Sequence, residues 1–352
     1  MAEKINGRVA YADLLRSFAT IAVIVLHLAG SQMANVPVGS GDWQVLNLYD
    51  GLTRWCVPVF VMLSGMFMLD PKRSLPLSKL FFHNILRILV CFLFWNWLYI
   101  LIGSGKFSFQ GVLWAFREAL VGQYHYHLWF LYIILAFYLV TPILRAFVRG
   151  ASRSDLRYFL LLAFLFSSLL PTLFRLWPGS TGGLQVWYKR LAVQVITGYV
   201  GFYVGGYYLK EYTISRVAEA IVYVLGLCGA IVTVWGTAVL SRNAGTLVDI
   251  LYEYNSPNVV CFSVAVVVLF RYVLGVSEER SRRQRLSGVA RISFGIYLVH
   301  DFFIMLLKYF HITVLSFTPV AAVPALAAVV FLLSFAVAWL ISRIPFVGRW
   351  LT

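Results

Sequence analysis

Charged side chains are scarce in this sequence: 12% of its 352 residues are Asp, Glu, Lys or Arg, whereas 61% are hydrophobic. Soluble domains carry about 25% charged residues. The scarcity excludes an ordinary soluble protein and predicts one polytopic membrane domain that covers residues 1–352. No small-residue cleavage site follows the first apolar segment, so we expect a retained span there and not a signal peptide.

Cysteine is also scarce, and the motifs of several enzyme classes are missing. The sequence contains no Walker motif, no GxSxG elbow and no HExxH motif. We therefore expect neither P-loop chemistry nor a bound metal. The four cysteines lie in apolar segments without the spacing of metal ligands or of a disulfide framework: Cys56, Cys91, Cys228 and Cys261.

Apolar segments long enough to cross a membrane recur along the whole chain. A bilayer core requires about 20 apolar residues in a helix. The predicted fold class is an all-α polytopic membrane protein with about ten transmembrane helices, and no soluble domain fits between them. The ten predicted spans are 11–32, 52–69, 80–103, 127–147, 157–177, 191–209, 217–240, 257–275, 288–308 and 319–342.

Acidic residues number only 14 against 29 basic ones, which gives a net charge of +15. If the N-terminus is cytoplasmic, eight basic residues fall on the outer side, and the inner side carries dense clusters within 145–157 and 280–291. Membrane proteins concentrate Lys and Arg in cytoplasmic loops, so both termini are predicted to be cytoplasmic. The same rule explains the basic excess without a nucleic-acid partner.

Small residues mark two predicted packing faces. Ser64 and Gly65 lie in the second span, and four glycines recur at helical spacing in the sixth. Small residues let two helix backbones approach closely, so we expect architecture here and not a phosphate-binding loop. The four glycines are Gly198, Gly201, Gly205 and Gly206.

Two ionisable residues eleven positions apart stand out in the first span. Arg16 and His27 are separated by about 16 Å of helix rise and only about 20° around the axis, so they share one face. Ionisable groups at membrane depth are costly and usually functional; a snorkelling arginine and a packing histidine are the alternative. Asp13 lies one turn before Arg16, and we expect the two to pair.

The ninth and fourth spans carry further polar groups. His300 and Asp301 point about 100° apart on a helix, so one is expected to orient a partner while the other meets substrate. Interhelical hydrogen bonding is the alternative. At the outer start of the fourth span, His127 and Trp129 suit contact with a polar or sugar substrate, or else belong to the interfacial aromatic belt.

The third span carries a basic ladder near its predicted cytoplasmic end. Lys79, His83 and Arg87 follow one another at intervals of one helical turn. The ladder suits an anionic group that enters from the cytoplasm. Snorkelling toward lipid phosphates is the alternative.

Taken together, these residues resemble the acyltransferase-3 family of integral membrane acyltransferases, and most of all its bacterial branch that acts on surface polysaccharides. Relatives often carry Arg-x-x-Arg in the third span, whereas Asn84 stands where the first arginine would be, with Lys79, His83 and Arg291 as candidates to replace it. The resemblance covers nearly the whole chain and rests on five motifs: Asp13-x-x-Arg16 with His27, Val57-Pro-x-Phe60 through Ser64-Gly65, Arg87-Ile88, His127-Leu-Trp129-Phe, and Ile292-Ser293 through Tyr297-Leu-x-His300.

The resemblance implies a ten-helix enzyme of the bacterial cytoplasmic membrane. Such an enzyme takes an acetyl or another short acyl group from cytoplasmic acyl-CoA and delivers it to a hydroxyl, typically of a glycan or lipid-linked sugar, on the outer side. The essential arginine and histidine of the family correspond to Arg16 and His27. Arg16, Arg87 and Arg291 would bind the CoA phosphates, and His27 would act as general base or as acyl carrier.

A transporter or flippase for a lipid-linked sugar or small molecule is the alternative function. Ten spans, intramembrane charges and Pro and Gly breaks all fit that class. No internal repeat relates the two halves of the sequence, which favours the enzyme. A non-catalytic membrane sensor ranks last, because no soluble output domain is visible.

Overall fold

A helix pairs all its backbone groups within one segment, which is what an apolar chain in a bilayer requires. The computed structural model describes residues 9–122, 124–193, 197–274 and 286–352, and within these ranges the chain forms helices and turns without a β-strand. The helices of the described residues are, in chain order, α1 Ala10–Gly30, α2 Gly41–Thr53, α3 Cys56–Met68, α4 Leu77–Ser104, α5 Phe109–Leu120, α6 Trp129–Gly150, α7 Arg153–Leu176, α8 Gly182–Leu191, α9 Val200–Glu211, α10 Arg216–Ala244, α11 Pro257–Tyr272, α12 Leu286–Tyr309, α13 Pro319–Arg343 and α14 Val347–Leu351.

Membrane-length helices confirm the predicted all-α polytopic class. The described ranges contain nine stretches that are long and apolar enough to cross a membrane: α1, the α2–α3 pair, α4, α6, α7, α10, α11, α12 and α13. The predicted sixth span, 191–209, overlaps α9, which has only 12 residues, and 194–196 lie outside the described part of the chain. The basic segment 280–285 also lies outside it, and the cytoplasmic placement of both termini stays a prediction.

The second membrane stretch begins earlier than the predicted 52–69 and is divided. Helix α2 ends at Thr53, and α3 begins at Cys56, after Arg54 and Trp55. Pro58 lies in the first turn of α3, where a backbone N–H has no partner within the helix in any case. The proline therefore helps to begin a helix at the break.

Helix α1 lies in the middle of the bundle. It packs against α2, α3, α12 and α13, and Leu15, Ala19 and Ala29 on it are fully buried. Helices α6, α10 and α13 instead expose large apolar side chains such as Leu139, Leu227 and Leu332, which suit contact with lipid. The central position of α1 carries Arg16 and His27 into the interior of the protein.

Helices α3 and α9 cross at the predicted glycine faces. A Cβ added at Gly65 would lie 1.8 Å from the carbonyl oxygen of Tyr203, and one added at Gly206 would lie 2.0 Å from that of Met62. Only glycine allows the two backbones to approach this closely. The prediction of a close packing face is confirmed for Gly65 and Gly206, whereas Gly205 leaves ordinary space beside it.

Candidate active site

Two histidines from different helices form the centre of the site. Nδ1 of His27 on α1 lies 2.7 Å from Nε2 of His300 on α12. The two rings stack with centroids 5.0 Å apart and an interplanar angle of 18°. His300 is fully buried, and His27 is half-buried. The packing of α1 against α12 thus joins two residues that are 273 positions apart in the sequence.

The hydrogen-bond network assigns the protons of this pair. Nδ1 of His300 lies 2.6 Å from the carbonyl oxygen of Tyr297, which can only accept, so that nitrogen carries the proton. In the neutral ring Nε2 is then an acceptor, and it receives the Nδ1–H of His27. Nε2 of a neutral His27 is therefore the nitrogen with the free lone pair. That nitrogen can act as a base or a nucleophile.

A small cavity adjoins His27. It has a volume of about 20 Å³, and its wall includes His27, His127, Trp129, Tyr254 and Tyr297. Trp129 stacks on Tyr254 with ring centroids 5.7 Å apart. A space of this size holds about one water molecule. An acyl group and an acceptor can enter only if side chains of the wall move.

Asp301 belongs to a second polar cluster beside the histidine pair. The hydroxyl of Tyr126 donates to Oδ1 of Asp301, and Nε2 of His125 lies 3.5 Å from Oδ2. Nδ1 of His125 is 2.8 Å from Nδ1 of His127. His300 and Asp301 thus face different neighbours, as expected for adjacent residues on a helix.

Two atoms of this cluster are buried without a hydrogen-bond partner among the described residues. They are Nε2 of His127 and Oδ2 of Asp301, and both residues are 1% exposed. Buried polar atoms are nearly always paired, so unpaired ones are expected where a ligand or water binds. Burial, and to a lesser extent the charge of Lys308, lower the pKa of His125 to about 4, so His125 is neutral at pH 7.

The clustered side chains also have the composition of a metal site. Ligand atoms lie within 4.8 Å of one another in two groups, His27 with His300 and Asp301, and His125 with His127 and Asp301. Two imidazoles and a carboxylate suit zinc or another first-row transition metal. The hydrogen bond between His27 and His300 already occupies one nitrogen of each ring. The prediction of a metal-free site stays a prediction.

A buried ion pair supports the cavity wall from the break between α2 and α3. Nη2 of Arg54 lies 2.6 Å from Oδ2 of Asp50, which is 1% exposed. The Arg54 guanidinium also lies 4.2 Å from the ring centre of Tyr252 and 5.9 Å from that of Tyr254. Tyr254 in turn stacks on Trp129. The pair fixes the aromatic wall that faces His27.

Arg16 on α1 and Arg87 on α4 are both near enough to Tyr138 on α6 for their charges to reach its hydroxyl. Arg87 also donates from Nη2 to the backbone oxygen of Thr352, at the end of α14. A phosphate that binds Arg87 must share or displace this contact. The pairing predicted for Asp13 with Arg16 stays a prediction.

Of the other residues predicted to bind the acyl-CoA donor, Lys79 and His83 lie in one basic cluster and Arg291 lies apart from it. The charges of Lys79, Arg87 and Arg349 all act on His83, and Nη2 of Arg349 lies 3.4 Å from its Nδ1. Arg291 is exposed on α12. A π-helical turn, Leu80–Ile85, lies within the predicted ladder and widens its spacing.

Several residues of the site were missed by the sequence analysis. His125 and Tyr126 lie at the start of a short 3₁₀ turn before α6. They reach Asp301 because the start of α6 lies beside α12, where Phe130 contacts Tyr297. The density of histidine and tyrosine around His127 was the available signal. Arg349 lies near the end of the chain and gave no signal at all.

Comparison with known proteins identifies one family. The acyltransferase-3 family model, described as an acyltransferase domain, matches residues 9–343, which is nearly the whole chain. No curated protein and no solved structure gives a significant match.

Proposed function

Since this chain belongs to the acyltransferase-3 family of membrane acyltransferases, we propose that it moves an acetyl or another short acyl group from cytoplasmic acyl-CoA to a hydroxyl of a cell-surface or lipid-linked glycan. The site of action would be the outer side of the bacterial cytoplasmic membrane. The observation that carries the proposal is the free lone pair on Nε2 of His27, set by the hydrogen bonds of His300.

The donor would bind at the basic end of α1. Acyl-CoA carries phosphates, and guanidinium groups recognise phosphate oxygens with paired hydrogen bonds. Arg16 and Arg87 both act on Tyr138 and are the first candidates for this contact. Lys79, His83 and Arg349 lie nearby, whereas Arg291 is exposed and plays at most a peripheral role. The thioester would reach His27 along α1, about 16 Å away.

In the general-base route, Nε2 of His27 takes the proton of the acceptor hydroxyl. The hydroxyl oxygen attacks the thioester carbonyl, the C–S bond breaks, and the CoA thiolate receives the proton back from Nε2. His300 accepts a hydrogen bond from Nδ1–H of His27 throughout. It thereby keeps the basic nitrogen toward the substrates and stabilises the imidazolium that forms.

In the acyl-carrier route, Nε2 of His27 itself attacks the thioester. The C–S bond breaks, CoA leaves as thiolate, and an acyl-imidazole forms. The acceptor hydroxyl then attacks that carbonyl, and the C–N bond breaks to restore neutral His27. The proton of the hydroxyl is released to water and balances the proton that the departed CoA thiolate takes up. Incubation with radiolabelled acetyl-CoA and no acceptor distinguishes the two routes, because only the acyl-carrier route leaves label on the folded protein.

The acceptor would approach on the side of the small cavity and the Asp301 cluster. Trp129 and Tyr254 offer aromatic faces to a sugar ring. The unpaired Nε2 of His127 and Oδ2 of Asp301 suit the hydroxyl groups of a glycan. Two residues of the proposed acceptor side, His127 and Trp129, therefore have distinct tasks of hydrogen bonding and stacking.

Ligand-induced thermal stabilisation of the detergent-purified protein tests the donor half of the proposal. Acetyl-CoA should raise the unfolding temperature saturably, since a ligand that binds only the folded state stabilises it. The shift should shrink or vanish in Arg16→Ala and persist in Arg190→Ala, where an exposed arginine is removed. No shift with acetyl-CoA, succinyl-CoA or free CoA in folded protein would favour the transporter.

A further inference from the structure

Two adjoining cavities lie outside the candidate active site. The apolar one, of about 310 Å³, lies between α3, α7, α9, α10 and α11, and its wall is almost wholly nonpolar. The other, of about 430 Å³, is lined by Arg153, Arg157, Thr213 and Ser215. Ile214 belongs to both walls, so the two spaces are neighbours on either side of it. We call the two together the α7–α9 cleft.

The length of the α7–α9 cleft matches one leaflet of a bilayer. On α7 it extends from Arg157 at the basic end to Ser168 at the apolar end, which is eleven residues or about 16 Å of helix. The hydrocarbon core of a bilayer is about 30 Å thick. An acyl chain anchored at the arginines would therefore extend to about the middle of the membrane.

Tyr208 fixes the two arginines at the junction of the cavities. Nε of Arg157 donates to the Tyr208 hydroxyl at 2.9 Å, and Nε of Arg153 donates to it at 3.3 Å. Nη2 of Arg153 also donates to the carbonyl oxygen of Thr213 at 2.7 Å. Among the described residues no partner holds the Nη atoms of Arg157. Both guanidiniums are thus held at the cleft while donors stay available.

Within the described part of the chain, no carboxylate forms an ion pair with Arg153 or Arg157. The lining of the basic cavity contains no acidic residue. Asp155, which lies between the two arginines in sequence, caps the start of α7 by accepting the backbone N–H of Ser152 at 2.8 Å. Two fixed arginines at the start of a helix attract a phosphate.

We propose that the α7–α9 cleft binds an anionic glycerophospholipid. Its phosphate lies on Arg153 and Arg157, and one acyl chain fills the apolar cavity beneath Tyr208. A basic site beside an apolar space of this size has the two halves that such a lipid requires. The site is separate from His27 and does not depend on acyl transfer.

Thermal unfolding with defined lipids tests the site. Detergent-purified protein, stripped of lipid, is mixed with phosphatidylglycerol, with phosphatidylcholine of the same acyl chains, or with inorganic phosphate. Phosphatidylglycerol should raise the unfolding temperature by about 3 °C or more at saturation, well above the other two. Arg153→Gln/Arg157→Gln should lose that difference, and Arg149→Gln, an exposed arginine outside the cleft, should keep it.

A second variant tests the apolar half without touching the arginines. Gly205 lines the apolar cavity, and a Cβ there would lie 3.6 Å from the nearest side-chain atom, on Leu160. Gly205→Leu should fill the space and weaken phosphatidylglycerol binding at least fivefold, whereas Gly205→Ala should not. Equal shifts with both lipids would mean bulk lipid contact only and overturn the proposal. A full shift of the unfolding temperature with phosphate alone would also overturn the proposal. Unchanged phosphatidylglycerol binding in Gly205→Leu would overturn it as well.

Discussion

At the scale of single residues, the hydrogen bond between His27 and His300 determines which imidazole nitrogen is available for chemistry. The carbonyl oxygen of Tyr297 fixes the proton of His300, and His300 then fixes that of His27. Sequence spacing predicted that Arg16 and His27 share a face, since one helix carries both. It could not predict the partner of His27, because that partner lies 273 residues away and depends on helix packing.

His300 should therefore act as a positioning residue for His27. His300→Leu removes the acceptor of the His27 Nδ1–H, and we expect kcat to fall about 10²-fold or more, within the range of general-base contributions. His300→Gln keeps a side-chain oxygen that can accept the bond and should retain more activity. CoA release from acetyl-CoA, measured on folded proteins, distinguishes the two variants. Wild-type kcat in His300→Leu would exclude the positioning role.

Asp70 should make the stability of the protein sensitive to acid. Burial raises the pKa of this carboxyl, but the hydrogen bond from Lys210, with Nζ to Oδ2 at 2.5 Å, and the backbone N–H of Lys72 outweigh it and lower the pKa below its ordinary value. A carboxyl with a lowered pKa in the folded state stabilises it above the unfolded pKa, and loses that contribution as the pH falls through the folded pKa.

Asp70→Asn should accordingly unfold at a lower temperature than the wild type at pH 7. The difference in unfolding temperature should begin to narrow below about pH 4, the ordinary pKa of the carboxyl in the unfolded chain. It should be lost as the pH falls through the lower pKa of the folded state. Thermal unfolding of both proteins from pH 7 to pH 3 measures this difference, and Asp42→Asn, which changes an exposed carboxyl, is the control. A gap that stays constant over this range would contradict the ionic role of Asp70.

At the scale of helices, the composition of the sequence predicted which segments form membrane helices better than it predicted where those helices begin, end and break. The membrane-length helices are found where apolar segments occur, because any sufficiently long apolar segment is stable as a helix in lipid. The ends and breaks of these helices depend on individual polar side chains and on local helix geometry. Helix α2 starts at Gly41 because the Ser40 side chain caps it by accepting the backbone N–H of Trp43, and the buried Asp50–Arg54 pair lies at the break. The π-helical turn Leu80–Ile85 altered a ladder predicted with 3.6 residues per turn.

The crossing of α3 and α9 provides a stability test with a built-in control. In Gly206→Ala the new Cβ would lie 2.0 Å from the backbone oxygen of Met62, which cannot move aside. We expect a loss of about 1–3 kcal/mol in the free energy of unfolding, as for overpacked cores. Gly205→Ala, with its nearest atom at 3.6 Å, should be neutral or slightly stabilising.

Thermal unfolding of Gly206→Ala and Gly205→Ala in the same detergent, detected by fluorescence, compares the stabilities of the two variants. Equal stability of Gly206→Ala and Gly205→Ala would show that the backbones of α3 and α9 do not approach as closely as the structure has them.

At the scale of the whole molecule, α1 joins two chemically different regions. The arginines Arg16 and Arg87 lie toward its start, and the histidine and aromatic cluster surrounds its later turns. A reaction between a cytoplasmic donor and an outer acceptor requires such an arrangement across the membrane. The direction of α1 in the membrane rests on the distribution of basic residues and is still a prediction.

Cysteine labelling checks that direction. Ser180→Cys lies in a loop predicted to be outside, and Ser74→Cys lies in one predicted to be cytoplasmic. A membrane-impermeant maleimide should label Ser180→Cys in intact cells and Ser74→Cys only after permeabilisation, with the wild-type protein as background. The reverse pattern would invert the proposed roles of the two ends of α1.

The most direct measurement of the central claim is acyl transfer in inside-out membrane vesicles from cells that contain the protein. Radiolabelled acetyl-CoA added outside such vesicles meets the cytoplasmic face, and label is then measured in the extracted glycan fraction. We predict incorporation with the wild type and with the control His311→Asn, which changes an exposed histidine. Incorporation should be lost with His27→Ala. Undiminished incorporation with folded His27→Ala protein would contradict the account.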